Sequence, residues 1–133
     1  MQEQGKKNWE VWKKDLEEAW EAIPQAYRTE RSIHRTLQCH LYNRLKEAGF
    51  TVVADFLPPR VRDRPVDLVA LSPRGEIHFA VCIDRLVSLD AVKSLDGFEA
   101  VEKVIFTTGM LEKKVRESRF FLKEGIEHVH LKP

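Results

Sequence analysis

The chain has 133 residues, 43% hydrophobic and 32% charged, with a formal net charge of +1 at neutral pH. That length holds one domain with a sizeable core and excludes two. The near-zero charge excludes an overall pull toward nucleic acid or acidic membranes, and no apolar run approaches the ~20 residues of a membrane span. The start, MQEQGKKNWEVW, has no signal-peptide hydrophobic stretch, so the expectation is a cytoplasmic protein without a membrane partner. In chain order, residues 6–22 place Trp9, Trp12, Leu16, Ala19, Trp20 and Ile23 on one stripe at a spacing of about 3.6 residues. This predicts an amphipathic N-terminal helix, ended by Pro24. Residues 1–27 thus read as a helical arm, and 28–133 as the core domain. Such a tryptophan face packs on its own domain or on a second chain, so a homodimer through Trp9, Trp12 and Trp20 is one expected partnership; stacking on bases is the other use of such rings.

A second helix is predicted over 30–48, capped by Thr29 or Ser32 and stopped by Gly49. Ile33, Leu37, Leu41, Leu45 and Ala48 form its expected buried stripe, with Glu30 and His34 on the same side. Residues 50–57 read as a strand, 58–65 (PPRVRDRP) as a wet loop, 66–71 and 77–84 as strands joined by the turn SPRGE. A short helix over 88–95 follows, capped by Ser88. A strand over 103–108 is apolar enough at its centre to be covered on both faces. A helix over 111–124 and a strand over 126–131 end the chain. A meander followed by crossovers implies an α/β domain: a mixed sheet with helices on both faces. Cys39 and Cys82, without a CxxC pair, read as reduced, buried core residues.

Charge is uneven along the chain. Residues 31–64 hold seven basic and three acidic side chains, whereas 1–30 hold five and seven, and 65–133 hold ten and eleven. The middle third is the only anion-facing candidate. Within it, Arg60, Arg62 and Arg64 lead into the strand of Asp67, and Arg31 and Arg35 open the second helix, so these five arginines are candidate phosphate contacts.

The element order, with these residues, resembles the PD-(D/E)XK nuclease superfamily, the restriction-endonuclease-like fold, over about residues 28–131. Glu30 stands where many members place a metal-orienting glutamate. RPVDLVAL resembles the strand of the motif aspartate, with Pro65 one residue further from Asp67 than the family's name suggests. GEIHFAVCIDR stands where a strand of the type hhhExKxx is expected, and VIFTTGMLEKKVRESRFFLKEGIEHVHL resembles the C-terminal part of Mrr-type restriction enzymes and related Holliday-junction resolvases. The resemblance implies phosphodiester cleavage with Mg²⁺. The ion polarises the phosphoryl oxygen and activates water, requires carboxylate oxygens, and works with a lysine that shares a strand face with one of them.

The chain departs from that pattern at the acid and the lysine. Fourteen residues beyond Asp67 stands Val81, and the lysine position is Ile83. A register shifted by one residue instead turns Cys82 and Asp84 toward the site, with Arg85 on the opposite face. Three readings follow. The first is a degenerate, catalytically inactive nuclease-fold protein that binds DNA or a partner protein through the old active-site face. The second is an active DNA endonuclease with a remodelled site, in which Glu30, Asp67 and Asp84 are catalytic, Asp67 and Asp84 ligate Mg²⁺, and His34 or an arginine assists. In the first reading no metal is required. The third is a protein–protein interaction scaffold built on the tryptophan helix. His128 and His130 share one face of the last strand, where two imidazoles can ligate a metal; with no third ligand nearby, they read as surface histidines.

Overall fold

The computed structural model describes residues 2–57, 59 and 64–133, with side chains from Trp9 onward. Thr29 and Ser32 lock the start of the second helix by exchanging side-chain and backbone bonds, a capping box that removes two otherwise unpaired N–H groups. The chain order is α1 (Gln2–Glu21), α2 (Glu30–Glu47), β1 (Thr51–Phe56), β2 (Val66–Leu71), β3 (Ile77–Asp84), α3 (Leu89–Asp96), β4 (Glu102–Thr107), α4 (Glu112–Ser118) and β5 (Ile126–His130). The strands form one sheet in sequence order. β1, β2 and β3 run antiparallel as a meander, and β4 and β5 join parallel to β3 through helical crossovers. This is an α/β architecture, a mixed five-stranded sheet flanked by helices with an added N-terminal amphipathic helix, and it is consistent with the restriction-endonuclease-like fold expected from the sequence.

The sheet separates two cores. On one side α1 and α2 cover Leu68, Ala70, Phe79, Val81, Ile83, Val104 and Phe106. On the other, Val87 and the α3 residues Ala91, Val92 and Leu95 pack against Val69, Ala80, Cys82 and Ile105. β4 is thus buried on both faces, as its apolar centre predicts. Trp9 and Trp20 are buried in the first core, and Trp9 meets Phe79 and Phe106 edge-on at 5.7 and 5.9 Å. Asp15 fastens α1 to α2 by accepting from His40 Nε2 at 2.8 Å and Arg44 Nε at 3.0 Å. The arm therefore belongs to the hydrophobic core of the domain.

Three local expectations change. Cys39 is exposed rather than buried: two residues past Leu37 is about 200° round the helix, away from the Leu37, Leu41 and Leu45 stripe. Ala48 is exposed too, because it is the C-cap rather than part of the helix body. The last helix is shorter than predicted. It ends at Ser118, whose hydroxyl donates back to the Val115 carbonyl at 2.5 Å and accepts from Val87 N–H at 3.0 Å; a 3₁₀ turn over Arg119–Phe121 follows.

Candidate functional site

Asp67 lies second in β2, and the strand breaks its alternation there. Val66 and Val69 pack on the same side of the sheet although they are three residues apart. Opposite Asp67, Asp55 of β1 has φ +52°, the left-handed region that aspartate tolerates better than most residues. Gln38 of α2 joins the two distortions. Its Nε2 donates to Asp55 Oδ1 at 2.7 Å and to the Asp67 carbonyl at 3.0 Å. Arg35 supports the same node through Asp55, at 3.2 and 3.3 Å, and through Gln38 Oε1, at 2.7 Å. Gln38 is only 5% exposed. The sequence reading missed it, and its one signal was a polar residue beside Leu37 on the inward side of the helix.

The break turns the Asp67 carboxylate inward, where it is 2% exposed. His34 Nε2 donates to Oδ1 at 2.5 Å, and Ile83 N–H donates to Oδ2 at 2.6 Å, so the side chain takes over a strand-pairing bond at the splayed end of β2 and β3. The third donor is Arg64, whose Nη2 reaches Oδ2 at 3.1 Å. The same guanidinium donates from Nε to Asp84 Oδ2 at 3.4 Å, from Nη2 to the Ile83 carbonyl at 2.8 Å and from Nη1 to the Pro65 carbonyl. Ser94 Oγ holds the Arg64 carbonyl in turn. Asp84 also accepts from Ser88 Oγ at 3.0 Å and from Arg85 N–H at 2.9 Å. Asp67 and Asp84 are therefore brought together, with a guanidinium between them.

The charges are mutually supporting. Burial pushes the Asp67 carboxyl up, but the His34 hydrogen bond, the Arg64 charge and the Ile83 N–H outweigh it and hold it below the ordinary carboxylate value. Burial likewise opposes the Arg64 charge, yet Asp67 and Asp84 keep its pKa above the ordinary arginine value. Burial pushes the Cys82 thiol up to about 12, so it stays neutral beneath them.

Magnesium is the ion that the nuclease resemblance implies. The two carboxylates as they are held do not fit it, because both Asp67 oxygens and both Asp84 oxygens already accept from N–H or O–H donors. A divalent cation with octahedral oxygen demands would have to displace Arg64. Val81 and Ile83, at the positions where the resemblance leads one to expect an acid and a lysine, are fully buried in the core under α1 and α2. Among the described residues no group of three or more His, Cys, Asp or Glu could hold a metal.

Glu30 does not join this cluster. It was expected inward, but its side chain is 64% exposed and pairs with Arg85, the residue that follows β3. Arg31 and Arg35 are exposed, Arg64 is engaged internally, and Arg60 and Arg62 lie outside the described residues. Beside the Glu30–Arg85 pair opens a cleft of about 1100 Å³ at the C-terminal ends of β3 and β4, with Trp20, Arg28, Ile33, Met110 and Lys114 in its walls. Crevices at the carboxyl ends of parallel strands are where open α/β sheets take ligands.

His128 and His130 are half-buried rather than at the open surface. Both face the buried Thr107, whose Oγ1 lies 2.8 Å from His128 Nε2 and 2.8 Å from His130 Nδ1. Thr107 pairs with His130 in register, a relation set by the β4–β5 alignment.

No family model matches the chain, and no curated protein matches it significantly. Among solved structures the chain is similar to a repair endonuclease from Pyrococcus abyssi, at 18% identity and a TM-score of 0.41, over 80% of this chain and 49% of that one. The chain thus spans about half the length of that protein. Among the described residues, no helix is long and apolar enough to cross a membrane.

Proposed function

We propose that this chain is a non-cleaving nuclease-fold protein that binds DNA along the face of its former active site. The observation that carries the reading is the Arg64 guanidinium, which supplies a fixed positive charge between Asp67 and Asp84 where a hydrolytic member needs a metal. An arginine neutralises the two carboxylates but can neither polarise a phosphoryl oxygen as a Lewis acid nor activate a water at neutral pH. The apolar Val81 and Ile83 agree with it, since they exchange hydrated polar positions for core packing. Binding is supported by the cleft with Arg28 and Lys114 in its walls, where Arg85 is paired with Glu30, and by the exposed Arg31 on the adjoining helix. A guest strand laid there meets cations without meeting a catalytic centre.

The test is incubation of a mixed pool of duplex, single-stranded and branched DNA with Mg²⁺, Mn²⁺ or chelator, using wild type and Asp67→Ala, followed by binding of the same pool at several salt concentrations. The expected result is no metal-dependent cutting and binding that weakens steeply with salt. Arg31→Ala is expected to flatten the salt dependence by about one phosphate contact, near 0.9 in the log–log slope for duplex DNA. Metal-dependent cutting that vanishes in Asp67→Ala would establish the remodelled endonuclease instead. Absence of both cutting and binding would favour a protein-interaction scaffold. In that case a homodimer through α1 would have to use the helix's outer side, where Val11 is 64% exposed, because Trp9 and Trp20 lie inside the core.

A further inference from the structure

The turn that follows α4 faces β5 across a pocket of about 240 Å³. Arg116 and Arg119 enter it from α4 and that turn, His128 and His130 from β5, and Lys132 and Glu112 close it. Lys132 and Glu112 pair at 2.5 Å and cancel. Arg116 lies near enough to bias Glu112 electrostatically, but neither Arg116 nor Arg119 forms an ion pair among the described residues. Two guanidinium charges are thus left facing a concave space.

The imidazoles complete a donor set. A hydroxyl has one proton, so Thr107 Oγ1 donates to one imidazole and accepts an N–H from the other; the first ring keeps its N–H for a ligand, and the second gains one on the ligand side when it takes up a proton. Burial first, and the positive field around them second, disfavours their own protonation. Burial, then the Arg119 charge and His130, hold His128 down to about 4; burial and Lys132 lower His130, with Lys13 acting in the same sense and Glu112 against it. An anion in the pocket relieves that field.

We propose that the pocket binds a phosphate-class dianion, gripped by Arg116 and Arg119 and hydrogen-bonded by His128 and His130. Planar guanidinium groups match phosphate oxygens in pairs. With about 30 Å³ as one water's share of volume, the space admits the tetrahedral group together with part of what bears it. Two sources share this chemistry: free inorganic phosphate and the terminal phosphate of a nucleic-acid strand. Phe120, 87% exposed on the same turn as Arg119, offers a stacking surface that only the second source would use. The site shares no residue with the Asp67 cluster or the cleft, so its failure leaves the proposed function untouched, and the reverse also holds.

The test is imidazole NMR of His128 and His130 in the full chain. Inorganic phosphate, a short 5′-phosphorylated oligonucleotide and its 5′-hydroxyl counterpart are each titrated against sodium chloride at equal ionic strength. The expected result is saturable phosphate binding with the His128 midpoint rising from about 4, at least tenfold weaker in Arg116→Gln and Arg119→Gln. Both positions are exposed, and an unchanged circular dichroism spectrum verifies the fold. Tighter binding of the phosphorylated oligonucleotide than of free phosphate, lost in Phe120→Ala, identifies a strand end; free phosphate alone identifies the ion. Shifts that follow ionic strength only, or binding unchanged in both arginine variants, overturn the site.

Discussion

Arg64 Nη2 stands 3.1 Å from Asp67 Oδ2, and the same guanidinium stands 3.4 Å from Asp84, so one side chain of β2's entry neutralises carboxylates on two neighbouring strands. Asp67 is 2% exposed and Arg64 16%. Removing one partner strands the other's charge away from water. Arg64→Gln and Asp67→Asn are each expected to cost about 3–5 kcal/mol of stability. The double variant is expected to cost at least about 1 kcal/mol less than the sum, as coupled neighbours do. Urea unfolding of the four proteins measures this; strict additivity would mean that the two side chains do not act as a unit.

Metal response follows from the same geometry. With Arg64 in place, both carboxylates are saturated by donors. Wild type is therefore expected to melt at the same temperature with and without millimolar Mg²⁺. Arg64→Ala clears the space between Asp67 and Asp84, and ligand linkage then predicts a melting temperature that rises with added Mg²⁺ or Mn²⁺. Thermal melts of both proteins across a metal titration decide it; an equal response in the two proteins would show that the guanidinium does not exclude a cation.

Asp67 also sets an acid limit. Its carboxyl is held below its ordinary value of 3.8, with the pull of His34, Arg64 and Ile83 N–H exceeding the push of burial. A folded-state value below the unfolded one means that the contribution is fully present above the unfolded value and is lost as pH falls through the folded value. Urea midpoints measured from pH 5 down to pH 2 are expected to fall more steeply in wild type than in Asp67→Asn, with the divergence confined to the region below about pH 4. Parallel curves would remove Asp67 from the account of acid unfolding.

Much of the fold was legible because it rests on short-range rules. Period-two strands, Thr29 and Ser88 at helix starts, and the tryptophan stripe each carry their signal within a few residues. The site was legible as a set of residue types and not as an arrangement. Asp67, Asp84, His34 and Arg64 could all be named, but Arg64 read as a phosphate contact because its partners lie 3 and 20 residues away on strands whose splay depends on Asp55. A one-residue break in alternation at Asp67 decides which way its carboxylate turns, and periodicity averages such breaks away. Gln38, which clamps that break, was not singled out, because its partners Asp55 and Asp67 lie 17 and 29 residues away. Cys39 failed for a simpler reason: its helical phase places it outside the buried stripe.

The N-terminal helix gives a sharper test of domain boundaries. Trp20 is 4% exposed and Leu16 is fully buried in the core shared with Leu37 and Phe106. If α1 were a dispensable arm, Trp20→Ala would leave the rest of the domain's stability intact. Membership of the core predicts a loss of about 3–5 kcal/mol, seen as a single cooperative transition shifted to lower urea. A biphasic transition, with the main step unmoved, would restore the arm as a separate unit.

Gly109 follows β4 where the chain passes closest to the end of β3. Its N–H donates to the Arg85 carbonyl at 2.9 Å, and a Cβ at this position would stand 2.7 Å from that same oxygen. The obstacle is backbone, so no side-chain rotation relieves it. Gly109→Ala is expected to cost about 1–3 kcal/mol, the usual range for overpacking. The Glu30–Arg85 wall of the cleft moves with it, so DNA binding should weaken alongside stability. Urea unfolding and binding measured on the same preparation test both; a stable variant would mean that the β3–β4 corner is looser than its bonding indicates.

His128 supplies a pH dependence at a higher range than Asp67. Its folded-state value is held down to about 4 from an ordinary 6.5 by burial, Arg119 and His130. The unfolded chain therefore takes up the proton first as pH falls, and stability declines from about pH 6.5 toward pH 4. His130, shifted the same way, adds to the slope. His128→Gln keeps a side chain able to reach the Thr107 hydroxyl and removes the titration, so its urea midpoint should be flatter over this window than that of wild type. Saturating phosphate should flatten wild type as well, because an anion beside Arg119 lets the folded state accept the proton. Equal slopes for wild type and His128→Gln would assign the pH dependence to other groups.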